Sequence, residues 1–96
     1  MSDAVTAAVE ALNEKMAGAG FDGLAKFVLE GEGSFIISES GAAVGDADAE
    51  VTLTSDVDTF RQIFEGAMDP TAAFMSGKLS VDGDMGAAMR LAQVLA

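Results

Sequence analysis

The chain has 96 residues, with 16 acidic and 5 basic side chains and a net charge of -11. That length predicts one domain, residues 1–96, built on one core,. The charge excludes nucleic acid, whose phosphates need lysine and arginine in place of counterions, and static attachment to an anionic membrane surface; its simplest role is solubility.

Val5, Val9, Leu12 and Met16 recur at spacings of four, three and four, which predicts a helix over residues 3–17, capped by Ser2 and stopped by Gly18 and Gly20,. Gly18-Ala19-Gly20-Phe21-Asp22-Gly23 matches G-x-G-x-x-G. It follows a helix and precedes a strand, whereas a dinucleotide loop needs strand, loop, helix, so the glycines are read as a stop and a turn. Residues 24–30 alternate, with Ala25, Phe27 and Leu29 on one face and Lys26, Val28 and Glu30 on the other. A second strand over 34–39 carries Phe35 and Ile37, and residues 42–45 allow a short third,. Gly31-Glu32-Gly33 and Ser40-Gly41 supply the turns of an antiparallel meander,.

Ala49, Val51 and Leu53 alternate with Glu50, Thr52 and Thr54, the clearest strand in the chain,. Only Asp46-Ala47-Asp48 separates it from the third strand. Ser55 and Asp58 have the spacing of a capping box, and a helix over 56–65 carries Val57, Phe60, Ile63 and Phe64 along one side until Gly66. Asp69 reads as the N-cap of a short helix with Pro70 at its first position and Gly77 at its end,. Residues 78–82 alternate as a last strand, Gly83-Asp84 turns the chain, and Met85 opens a final helix. That helix, MGAAMRLAQVLA, has only Arg90 and Gln93 as polar side chains. It needs cover on more than one face, from the sheet on one side and a ligand or partner on another.

The expected class is α+β, a single five-stranded mixed sheet with helices packed on one face, in the order α-β-β-β-β-α-α-β-α. The ordered set Pro70, Ala73, Phe74, Met75, Gly77, Lys78, Leu79, Val81, Gly83, Asp84 and Met85, preceded by residues 49–56, Phe60 and Gly66, resembles the sterol carrier protein 2 family. The match covers residues 47–95, and the first half agrees in outline. The resemblance implies a lipid cavity between the sheet and the C-terminal helices. The candidate lining is Phe60, Phe64, Phe74, Met75, Leu79, Val81, Met85 and Met89, with Ala88, Ala92 and Leu95 on the same final helix. Periodicity alone is also satisfied if these residues are simply core.

The chain has no cysteine and no histidine, which removes disulfides, thiolate metal sites and the commonest general base,. A catalyst would need paired carboxylates or an activated serine or lysine, and none stands out. Asp46, Asp48 and Glu50, and Asp82 with Asp84, fit solvated turns rather than a cation loop,. Ser76 lacks the G-x-S-x-G setting of a nucleophile,.

The expected function is therefore non-catalytic carriage of a fatty acid, acyl-CoA or sterol-like lipid, with no cofactor and no metal. Lys78, Arg90 or Arg61 can either meet an anionic head group or balance acidic neighbours. The alternative is an interaction module that uses the same apolar helix face for a second copy or a partner. No apolar run of about 18 residues is present, so stable membrane insertion is not expected; transient contact with a membrane or a protein partner stays open. Met1-Ser2-Asp3 lacks a basic signal-peptide start and Val94-Leu95-Ala96 is not a peroxisomal address, which sets the expectation of a cytoplasmic, bacterial protein,.

Overall fold

A computed structural model describes residues 3–16 and 20–95 of the chain. The Ser2 cap, the Gly18 stop and the Leu95 side chain lie outside what it describes. The elements are α1 (Asp3–Met16), β1 (Ala25–Leu29), β2 (Gly33–Ser38), β3 (Gly41–Val44), β4 (Val51–Ser55), α2 (Val57–Phe64), α3 (Pro70–Met75), β5 (Ser80–Gly83) and α4 (Met85–Leu95). The strands form one sheet in the order β3-β2-β1-β4-β5. β1 and β4 run parallel, and the other neighbours run antiparallel. The expected mixed five-stranded sheet and element order are therefore present.

The register explains why the alternation matters. Val44, Phe35, Phe27, Leu53 and Val81 line up across all five strands as one row on the helix-bearing face. A one-residue slip would turn that whole row to the opposite face. At the centre, Phe27 and Phe35 are fully buried and stack with ring centroids 5.5 Å apart. α1 covers β2 and β3, and α4 covers β4, β1 and β5. Asn13 ties α1 to β3: its amide donates to Ala42 O at 2.9 Å and its carbonyl accepts from Ala42 N at 2.8 Å.

The short link between β3 and β4 resolves into a crossover on the opposite face. Lys26 and Ser34 alternate with the core-facing Phe27 and Phe35, so they point away from the helices,. Residues 46 and 45 meet them there: Lys26 pairs with Asp46 at 2.8 Å, and the Ser34 hydroxyl donates to Gly45 O at 2.8 Å. Glu50 N–H then donates to Leu24 O at 3.0 Å, delivering the chain to β4. Residues 45–50 thus pass behind the sheet, leaving the helix face clear.

Two capping expectations are corrected. Asp56, not Ser55, is the N-cap of α2, accepting from Thr59 N–H at 2.6 Å. The Ser55 hydroxyl donates instead to Asp56 O, because Ser55 is the buried last residue of β4. Asp69 has the extended N-cap backbone before Pro70, but its side chain makes no capping bond. Asp84 caps α4, accepting from Gly86 N–H at 2.9 Å and Ala87 N–H at 3.4 Å. The last strand also runs one residue later than its alternation suggests, ending at Gly83. There φ is +113°, and a Cβ would meet the Glu50 carbonyl and the Val51 backbone, so the close approach of β5 to β4 requires glycine,.

Hydrogen bonds from the Thr59 side chain, then its backbone N–H, hold the Asp56 carboxyl below its ordinary value of 3.8. With the folded value depressed, the unfolded chain binds more protons as the solution is acidified. The stability Asp56 contributes is full above its ordinary value and is lost as pH falls through the folded one. We expect the gap in urea midpoint between the wild type and Asp56→Asn to shrink steadily on acidification; a gap that stays constant or widens would rule the linkage out.

Candidate functional site

The groove begins with what α3 cannot bury. Ala73 turns into the core and is fully buried, whereas Phe74 and Met75 follow it at 42% and 80% exposure. Gly77, at φ +81°, ends the turn, and the N–H groups of Lys78 and Leu79 both donate to Ala73 O, at 2.9 and 3.1 Å. That reversal brings buried Leu79 back under α3 and starts β5.

α4 then offers two apolar stripes. Ala87 and Leu91 are fully buried. Met85, Ala88, Met89 and Ala92, spaced three, one and three, form a second stripe on the neighbouring side,. Val94 packs against the core on the Ala87 and Leu91 side, and Gly86, Arg90 and Gln93 are the other residues up to Val94. Arg90 lies 3.6 Å from Glu50 and over the Phe21 ring, away from the second stripe.

Between α3 and α4 lies a cavity of about 280 Å³. The cross-strand pair Leu53 and Val81 forms its floor, with Leu79 beside them. Pro70, Thr71, Phe74 and Met75 form one wall, and Met85, Ala88, Met89 and Ala92 the other. The Thr71 hydroxyl is the one side-chain polar group in this lining. Phe74, Met75, Met85 and Met89 are four of the five large apolar side chains exposed among the described residues. Single exposed apolar residues are ordinary; their concentration round one hollow is informative.

The structure brings six of the eight expected lining residues together here: Phe74, Met75, Leu79, Val81, Met85 and Met89. Phe60 and Phe64 are placed elsewhere. Phe60 is 5% exposed and packs edge-on to Phe27 and Phe35, with centroids 5.0 and 5.8 Å away. Phe64 stacks on Phe60 at 6.1 Å, and Lys15 covers it from α1, 4.6 Å above its ring. Leu53, Pro70 and Thr71, with Ala88 and Ala92, complete the lining, and the first three were not expected there from the sequence. Leu53 looked like any core strand residue, and Pro70 like helix punctuation.

The residues weighed in the sequence as a nucleophile or as cation ligands lie outside the groove. Ser76 donates its hydroxyl to Ala73 O at 3.1 Å, as a turn residue does. Asp46 and Glu50 pair with basic side chains, and Asp84 caps α4. Among the described residues no group of three or more acidic side chains is placed to hold a metal ion, and no helix is long and apolar enough to cross a membrane.

The model of the SCP-2 sterol transfer family matches residues 5–96. The chain belongs to that family. Hydroxysteroid dehydrogenase-like protein 2 of Xenopus tropicalis is 40% identical over 96 residues, covering 92% of this chain but 23% of that protein. Most of that vertebrate relative's length therefore lies outside the match, and the expectation of a bacterial source gains nothing from it. A sterol carrier protein domain 2 of Helicoverpa armigera superposes with a TM-score of 0.76 at 25% identity, covering 96% of this chain and 85% of that one. Sterol carrier protein 2 of Aedes aegypti in complex with palmitate superposes with a TM-score of 0.77 at 21% identity, covering 100% and 97% of the two chains. The sterol carrier fold thus runs through the whole described chain, first half included.

Proposed function

We propose that this domain binds the apolar chain of a lipid in the groove between α3, α4 and the β4–β5 floor, and carries it without catalysing a reaction on it. The observation that carries this reading is the gathering of Phe74, Met75, Met85 and Met89, all at least 42% exposed, round one apolar hollow in a chain of net charge -11. A ligand chain lying there gains roughly 0.8 kcal/mol for each CH₂ it buries. Methionine side chains are unbranched and adaptable, so the walls can follow ligands of differing shape. The cavity is near the lower end of the roughly 300–1,000 Å³ typical of small-molecule sites, and movement of those side chains would enlarge it. The family's description and the palmitate complex of the Aedes aegypti relative support a sterol-like ligand or a fatty-acid chain. The dehydrogenase in the vertebrate relative's name does not bear on this reading, since the match spans 23% of that protein.

The test is a titration with an environment-sensitive acyl probe bearing an uncharged head, followed by displacement with unlabelled lipids. The probe must supply the signal, because the chain has no Trp and no Tyr. Saturable one-to-one binding with displacement is the expected result. No binding to folded, delipidated protein would overturn the proposal and leave the groove to a protein partner.

A further inference from the structure

The groove continues past Met89 and Ala92 into a second hollow of about 220 Å³. The two share Pro70, Thr71, Met89 and Ala92, and the second adds Asp69 and Gln93. The apolar channel thus has a polar end, made of a carboxylate, an amide and the Thr71 hydroxyl. The Asp69 carboxylate is exposed and makes no capping bond to α3, so it is available as an acceptor.

No basic side chain lines either hollow. Lys15 donates to Phe64 O, Lys26 pairs with Asp46, Arg61 lies by Asp58, and Arg90 lies by Glu50. Lys78, in the turn before β5, acts on Asp56 and lines neither hollow. Lys78, Arg61 and Arg90 are therefore not positioned to meet a head group at this end.

Resting on the lipid reading above, we propose that this end selects the ligand's head group. It accepts a head that donates a hydrogen bond and bears no negative charge, such as a long-chain alcohol or amine, and disfavours carboxylate and phosphate heads. An alcohol can donate to Asp69 and accept from Gln93, while an amine adds attraction to the carboxylate. A carboxylate head meets a like charge with no cation beside it, in a protein that is already strongly acidic. Acyl-CoA, with several phosphate charges, is disfavoured further.

The test compares three single-chain ligands of equal length, hexadecanol, hexadecylamine and palmitate, each displacing the same uncharged-head probe. We expect palmitate to bind about tenfold more weakly than the other two at low salt. Because the uncharged alcohol is also the more hydrophobic ligand, the deciding measurement is Asp69→Asn. It should raise palmitate affinity severalfold and lower hexadecylamine affinity. Added salt should narrow the wild-type gap in the same direction. Palmitate binding as tightly as hexadecanol, or a gap that neither Asp69→Asn nor salt alters, would overturn the head-group assignment while leaving the groove intact. Failure of all three ligands to displace the probe would overturn both readings.

Discussion

Met89→Asp should reduce lipid affinity on the order of a hundredfold in a domain that stays folded. Met89 lines both hollows, so every ligand pose along the channel touches it. Its side chain is 66% exposed in the free protein, so the fold does not depend on it, and stability should change by no more than about 0.5 kcal/mol,. A carboxylate there must be stripped of water when the ligand enters. That penalty, added to the lost methylene contacts, reaches about 2–3 kcal/mol, which is the hundredfold. Probe titration alongside a urea melt separates the two quantities. Undiminished binding in a folded Met89→Asp protein would place the ligand elsewhere.

Phe60→Ala should do the opposite. Phe60 is 5% exposed, at the junction of Phe27, Phe35 and Phe64. Removing its ring leaves a hole that fully buried neighbours on the sheet cannot close, at a cost of about 3–5 kcal/mol. In a small domain whose total stability is about 5–15 kcal/mol, that loss is large enough to leave part of the population unfolded at room temperature. Affinity per folded molecule should nevertheless match the wild type, because the ring does not line the groove. The milder Phe60→Leu keeps enough folded protein to measure it. A loss of affinity larger than the loss of folded fraction would restore Phe60 to the ligand site.

The contrast between Phe60 and Met89 shows how far the sequence could be read. The meander was legible because alternation and turn glycines are local signals; Phe27 and Phe35 declare their face within a few residues. The parallel pairing of β1 with β4 depends on a crossover behind the sheet, and nothing local to residues 45–50 specifies a face. Four of the candidate lining residues, Phe74, Met75, Met85 and Met89, face the groove because α3 and α4 carry more apolar side chains than one face can bury, and Leu79 and Val81 join them from the floor. α2 carries only one apolar stripe, with Asp58, Arg61 and Gln62 on its other sides. A helix with a single stripe must turn it to the core, which is where Phe60 and Phe64 pack. The caps erred for a different reason. Ser55, Asp56 and Asp58 can all cap, and burial of Ser55 at the end of β4 decided among them.

The central claim is that the groove between α3 and α4 holds the lipid, and the methionines report on it directly. Met75, Met85 and Met89 line the groove, while Met16, at the end of α1, packs in the core and Met68 lies outside the lining. With the methionine methyl groups carbon-13 labelled, an NMR titration with hexadecanol should move the Met75, Met85 and Met89 resonances together, saturating at one equivalent, and leave Met16 nearly still. Saturable shifts centred on Met16, or no shift at the three groove methionines while the ligand is demonstrably bound, would contradict the account.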